Sequence, residues 1–254
     1  MLEQVKEFTS TFINSFSNIS LNSSLIIFIA TIFIVLHNLR RFPIIKNISV
    51  FVSFFPVLVH EMGHAFVANI LGGKVTDIHM VLSPKKQQKT GQQGYAITGS
   101  KSKLSSILVV FSGYIAAPLL LFIGTFLIEN NLSFIFVIIN IYISIFYLLN
   151  TKQKWIPLLI IIILIFACYH IWGSSSPLTY LLINTVYNIL LGLLLGETLQ
   201  SIIITTKVNF KDRNNDWDGA ILKCLTHIPA TIWWIIWSSF SIFSVYQSFI
   251  LFNN

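Results

Sequence analysis

Two imidazoles and a carboxylate, in the spacing His60-Glu61-Met62-Gly63-His64, interrupt a stretch from Val50 to Leu71 that is otherwise almost wholly apolar. Positions i and i+4 of a helix share one face, with Cβ atoms about 5–6 Å apart. His60 and His64 can therefore offer ring nitrogens to one metal ion, with Glu61 beside them as a general base toward an attacking water. That is the H-E-x-x-H arrangement. Ionisable side chains within an apolar span are costly and mark a functional site by default.

Two histidines do not complete such a centre. A catalytic zinc takes three protein ligands and keeps a fourth position for water. The candidates for the third are His37, Asp77, His79, His170, Glu197, Asp216, Asp218 and His227. Asp218 is the choice, because Asp216-Trp217-Asp218-Gly219-Ala220 opens a segment that turns apolar and runs through Pro229 into the last span. Asp216, two positions away, satisfies the same spacing argument. Glu197 reads as part of a helix packed through Gly192 and Gly196, and the single histidines lack a partner at ligand spacing.

The elements that must position these groups are membrane helices. Of the 254 residues 55% are hydrophobic and 10% charged, against about 25% charged in soluble domains. Seven apolar segments stand out: about Ser24–Leu39, Ile48–Leu71, Leu104–Ile128, Leu132–Leu149, Trp155–Trp172, Leu178–Thr206 and Pro229–Phe252. With roughly 20 residues needed per crossing, the expected fold is an all-α polytopic membrane protein of about 6–7 transmembrane helices. Lys74–Leu82 and Gly94–Thr98 have strand-like patterns and predict a small β-hairpin inserted after the metal-motif helix. Residues 1–254 then form one membrane-embedded domain: 1–47 the N-terminal segment and first span, 48–71 the metal-motif helix, 72–103 the hairpin loop, 104–206 helices, 207–228 the loop with the third ligand, and 229–254 the last span.

Net charge is +7, yet the sixteen Lys and Arg lie almost entirely between apolar segments, which argues for loop topology and against nucleic-acid binding. Placing 72–103 in the cytoplasm puts thirteen of them inside and leaves Arg40, Arg41 and Lys46 outside. The Arg40-Arg41 pair is the violation, explained either by an incomplete first crossing or by snorkelling to the interface. Small residues and a proline in Ser112-Gly113-Tyr114-Ile115-Ala116-Ala117-Pro118 read as helix packing with a kink, and Trp233, Trp234 and Trp237 as interface or lipid-facing anchors. Cys168 and Cys224 are too few and too separated for a disulfide framework, and read as small apolar fillers.

The metal-motif helix, the following Gly72-Gly73-Lys74-Val75, the Ser112-Gly113-Tyr114 segment, and Asp218 with Ile221-Leu222, Thr226, Ile228-Pro229-Ala230 and Trp234 resemble the M50 intramembrane metalloproteases, the M50B-like branch of site-2-protease relatives. The resemblance covers about residues 50–240. It implies Zn2+ held by His60, His64 and Asp218, with Glu61 as general base, and cleavage of a membrane protein within or near its transmembrane segment on the cytoplasmic side. The family's longer Asn-x-x-Pro-x-x-x-Leu-Asp-Gly pattern is absent: Trp217 precedes Asp218, and Asn214 and Asn215 stand upstream without the proline, as candidate substrate-binding residues. No PDZ-like or CBS-like insertion fits in the chain.

The partners expected are the lipid bilayer and a membrane-spanning substrate, with no nucleic acid, and the expected location is the plasma membrane. Nothing in the sequence sets an oligomeric state. Two other classes compete. A catalytically inactive relative acting as a membrane-protein binder would share the motif and lack turnover. An ion-coupled transporter using Glu61, Glu197 and Asp218 would be expected to carry inverted repeats, which the sequence does not show.

Overall fold

The computed structural model describes Ser10, Ile13, Phe16 and residues 19–173, 177–212 and 217–252. Ten α-helices and one short hairpin follow one another among these residues. They are α1 (Ser23–Asn38), α2 (Pro43–Val52), α3 (Phe54–Ile70), β1 (Lys74–Met80), α4 (Pro84–Thr90), β2 (Gly94–Gly99), α5 (Lys103–Glu129), α6 (Ser133–Asn150), α7 (Trp155–Gly173), α8 (Pro177–Lys207), α9 (Asp218–Thr226) and α10 (Ala230–Phe252). A π-helical turn, Val208–Asp212, extends α8.

The number of spans is lower than the sequence pattern suggests. Among the described residues four helices are long and apolar enough to cross a membrane: α5, α6, α8 with its π-turn, and α10. A fifth crossing exists if α2 and α3, bent by 48° against each other, act as one broken span. Helix α1 has 16 residues, about 24 Å at 1.5 Å per residue, short of a hydrocarbon core of about 30 Å. The described apolar stretch of α7, Trp155–Ala167, is likewise short.

Nor is Ile48–Leu71 one helix. It breaks at Ser53, between α2 and α3. The signal was in the sequence: Pro56 has no N–H to give the Val52 carbonyl four residues earlier, and its ring crowds that turn. At its other end α3 stops at Leu71, followed by Gly72 at φ +69°, a conformation that a side chain would strain.

The hairpin forms as the alternation predicts, with β1 and β2 antiparallel and pairing Lys74 with Gly99 and Met80 with Gly94. It does not hang free as a solvated loop. Ile78 and Met80 are buried against Val57, Met62 and Ala65 of α3, so the hairpin lies along the metal-motif helix. Asp77 Oδ1 accepts from the Lys152 backbone N–H at 2.8 Å, and the Gln153 side chain bonds both the N–H and the carbonyl of Met80, which ties the hairpin to the α6–α7 connection.

The short α1 agrees with the incomplete first crossing offered for the Arg40-Arg41 pair, and Arg40 itself is held within the protein. Its guanidinium donates to Ser49 Oγ (2.6 Å), Ser53 Oγ (3.0 Å) and Gln93 Oε1 (2.9 Å), joining the end of α1 to the α2–α3 corner and the hairpin. It belongs to the packed structure and carries no weight in a count of loop charges. Arg40→Met leaves those acceptors without their donor. A loss of about 2 kcal/mol, at about 2–4 °C per kcal/mol for a chain of this size, is expected to lower the thermal unfolding midpoint of detergent-solubilised protein by about 5 °C. An unchanged midpoint would show that water replaces the arginine.

The larger core lies between α1, α5, α6 and α8, around Leu121, Phe136, Tyr187 and Leu191. Some buried polar groups pair across it. Asn188 accepts from the Asn22 N–H and donates to the Ser20 carbonyl, and Thr125 donates to Ser248 of α10. Cys224 is exposed and fills no core.

Candidate metal centre

Helix α3 carries His60 and His64 one turn apart, with Nε2 atoms 3.2 Å from each other. Asp218, in the first turn of α9, brings Oδ2 to 3.5 Å from His60 Nε2 and 3.4 Å from His64 Nε2. Bonds of about 2.0–2.1 Å at a tetrahedral angle separate ligand atoms by about 3.3–3.4 Å, so two nitrogens and one oxygen at these spacings fit a zinc ion. The tautomer fits as well. His64 Nδ1 lies 2.7 Å from the Val109 carbonyl, a bond it makes as donor, which leaves the Nε2 lone pair free for a metal. Burial works against the Asp218 carboxylate, but the two imidazoles facing it outweigh that and hold its carboxyl below the ordinary range.

Close helix packing sets these positions. At Gly63 an added Cβ would stand 2.9 Å from both Ala116 Cβ and the Ser112 carbonyl, so α3 and α5 touch through backbone. At Gly113 an added Cβ would overlap the His64 ring at Nε2 and Cε1 and come within 2.8 Å of His60 Cε1. The α5 backbone at Gly113 is thus a wall of the centre. Tyr114 adds an edge contact to the His60 ring, with centroids 4.8 Å apart.

Asp218 is delivered by tryptophans. Trp217 caps α9, its carbonyl accepting from the Ala220 and Ile221 N–H groups, and its ring packs near Tyr114 and Trp237. Trp237 is buried, and its indole N–H donates to the Phe111 carbonyl at 3.0 Å. Trp234 donates to Thr206. These two rings therefore face inward, holding α10 to α5 and α8, where lipid-facing anchors were expected.

Glu61 is buried at the side of the cluster, beside β2 of the hairpin. Gly94 makes room for it: a Cβ there would be 3.1 Å from Glu61 Cγ. The hairpin thus supplies the surroundings of the candidate base.

The family model for Peptidase M50B-like proteins matches residues 25–248. The chain belongs to that family. No curated protein and no solved structure matches it. Membership and the apolar helices together make this an integral membrane protein of peptidase kind.

In this M50B-like chain the three residues read as ligands converge, with candidate donor atoms all within 4.8 Å of one another. Asn214, Asn215 and the rival Asp216 lie outside the described residues, as does the side chain of His170. The other candidates have separate places. His37 is in α1 near the Phe33 ring, and His227 is the left-handed C-cap of α9. His79 stacks on Tyr95 and contacts Gln153, within the same network as Asp77. Glu197 does approach the site: it lines a cleft with His60, so helix packing accounts for only part of its surroundings.

Sequence reasoning did not single out Gly113, Val109 or Gly94 as parts of the centre. A signal existed for the first, since Ser112-Gly113-Tyr114 is one of the segments that carry the family resemblance. For a backbone carbonyl such as that of Val109 the side-chain sequence holds none.

Proposed function

We propose that this chain is a zinc-dependent intramembrane endopeptidase that cleaves membrane-spanning substrates near the cytoplasmic side of the plasma membrane, with the 72–103 segment facing the cytoplasm. The observation that carries the reading is the approach of Asp218 to the His60–His64 pair at 3.4–3.5 Å, with Glu61 buried alongside. His60, His64 and Asp218 would hold the ion, which when bound polarises a peptide carbonyl and acidifies a water. Glu61 takes the proton from the attacking water and passes it to the departing amine. The Val109 carbonyl fixes the His64 ring, and the hairpin packs beside the Glu61 side chain at Gly94. The outer edge of β2, beside Glu61, offers backbone groups to an extended segment of substrate. Asn214 and Asn215 are proposed, on their nearness in sequence to Asp218, as groups that touch the substrate backbone.

The ligand assignment is tested by zinc content. Wild-type protein purified in detergent is expected to hold about one zinc per chain, Asp218→Ala to lose most of it, and Asp216→Ala to keep it. The reverse pattern would move the third ligand to Asp216, and metal-free folded wild type would end the peptidase reading.

A further inference from the structure

Helix α1 runs parallel to α8. Near its start the Asn22 N–H donates to Asn188, further on Phe33 packs against Gly196, and at its end the Asn38 amide reaches Gln200 at 3.5 Å. Helix α5 runs the other way: the Tyr187 hydroxyl of α8 donates to the Gly124 carbonyl, while Tyr114 and Pro118 lie beside Glu197 and Ser201. The end of α1 and the start of α5 therefore emerge on one side, that of Lys207 and Lys211. This puts Arg40, Arg41 and Lys46 on the side of the hairpin, where strict alternation of spans would put them opposite. A direct bond agrees with it: Lys46 Nζ, on α2, donates to Gln88 Oε1, on α4, at 2.6 Å.

Helix α2 has two unlike faces. Ser49 and Val50 are buried, Ser49 against the Arg40 guanidinium, whereas Ile44, Ile48 and Phe51 follow at spacings of four and three along the opposite face and are exposed. Phe51, at 83%, is the most exposed large apolar side chain among the described residues. With ten residues, about 15 Å, α2 cannot cross a bilayer by itself. Lys85, Lys86 and Lys89 stand exposed on the adjoining α4 and make no ion pair among the described residues. Between Glu7 and Glu129 the acidic residues are Glu61 and Asp77, both buried. Exposed lysines are costly at hydrocarbon depth, so α4 marks the level of the headgroups, and α2, bonded to it, shares that level. An apolar stripe beside uncompensated cations suits a helix lying in the interface of an anionic leaflet. We propose that α2 and α4 together dock on anionic phospholipid, with Ile44, Ile48 and Phe51 among the acyl chains and Lys85, Lys86 and Lys89 on the headgroups. The contact anchors the tip of the hairpin that packs beside Glu61, and it does not depend on the peptidase reading.

Local lipid probes test it on the full chain with both native cysteines replaced by serine, circular dichroism showing that the helices are kept. In phosphatidylcholine nanodiscs a fluorophore on Thr90→Cys, beside the lysines, is quenched by a small, equal fraction of nitroxide-labelled phosphatidylglycerol or phosphatidylcholine. Each lysine near an anionic surface is worth about fivefold in association, so the anionic quencher is expected to be favoured by about fivefold or more. Lys85→Gln/Lys86→Gln/Lys89→Gln should bring the two quenchers level. Equal quenching in the unsubstituted α4, or a preference that survives the three substitutions, would overturn the proposal. A spin label on Phe51→Cys should collide with oxygen more often than with a water-soluble nickel chelate. The opposite order would place α2 in water, and shielding from both would mean a protein occupant, a second copy if the labels couple to one another; either result overturns the lipid assignment. In sealed vesicles Arg41→Cys and Lys89→Cys should react with an impermeant maleimide from the same side, and reaction from opposite sides would overturn the shared level of α2 and α4.

Discussion

Gly113→Ala is expected to strip zinc from the protein while leaving its helices intact. The added methyl would overlap the His64 ring at Nε2 and Cε1 and stand 2.8 Å from His60 Cε1, where carbon atoms pack at about 3.5–4.0 Å. Neither imidazole has an easy retreat. His64 is tied through Nδ1 to the Val109 carbonyl, and Gly63 already presses α3 against the α5 backbone. The rings must turn, and the ligand atoms now 3.2–3.5 Å apart lose their common centre. Changes to groups that merely orient ligands reduce metal affinity by about 10–100-fold, so displacing two ligands should cost about 100-fold or more. Gly99→Ala is the control. Its methyl would meet only Lys74, at 3.8 Å or beyond, and zinc affinity should not change. Zinc titration with circular dichroism on the same samples reads both quantities, and near wild-type affinity in Gly113→Ala would mean that α5 yields at little cost.

What the sequence made legible depended on whether the physical cause was local. The pairing of His60 with His64 follows from helical periodicity alone, and the β1–β2 hairpin from alternation between turn residues. Asp218 could be reached because α9 and the last helix follow it directly. Other features depend on partners far away in the chain. Arg40 reads as a misplaced loop charge until Gln93, 53 residues on, is brought to it. Trp237 reads as an anchor in lipid until its indole meets Phe111, 126 residues earlier. The break at Ser53 is a third kind of case: Pro56 announced it, but an unbroken apolar run hides where one helix ends and the next begins.

Span counting failed for a related reason. Hydropathy reports whether a residue can leave water, and a residue buried in protein leaves water as surely as one facing lipid. The α1 helix is apolar because Ile26 and Ala30 are packed into the main core and Phe33 is buried against Gly196, and its 16 residues need no full crossing to be stable there. The broken α2–α3 pair bends where the hairpin and Arg40 meet it, and irregular backbone at membrane depth is tolerated where protein satisfies it.

Glu61→Gln should separate metal binding from catalysis more sharply than any ligand variant. Glutamine keeps the shape of the side chain, so the packing beside Gly94 has no reason to change. Zinc content should stay at the wild-type level because Glu61 is not among the three converging ligands. The amide nitrogen cannot take a proton from the attacking water, however, and positioned general acid–base groups are worth about 10²–10⁴-fold. Cleavage of a single-span substrate is therefore expected to fall by about 10³-fold with zinc retained, whereas His64→Ala should lose both together. Turnover within tenfold of wild type in Glu61→Gln would remove Glu61 from its role as base. Among the described residues the other carboxylates near the centre are Asp218, which faces both imidazoles, and Glu197, which lines a cleft with His60 from α8. Repeating the pair of measurements in Glu61→Gln/Glu197→Gln would decide between them: a further collapse of turnover with zinc retained would transfer the proton to Glu197, and no collapse would exclude it.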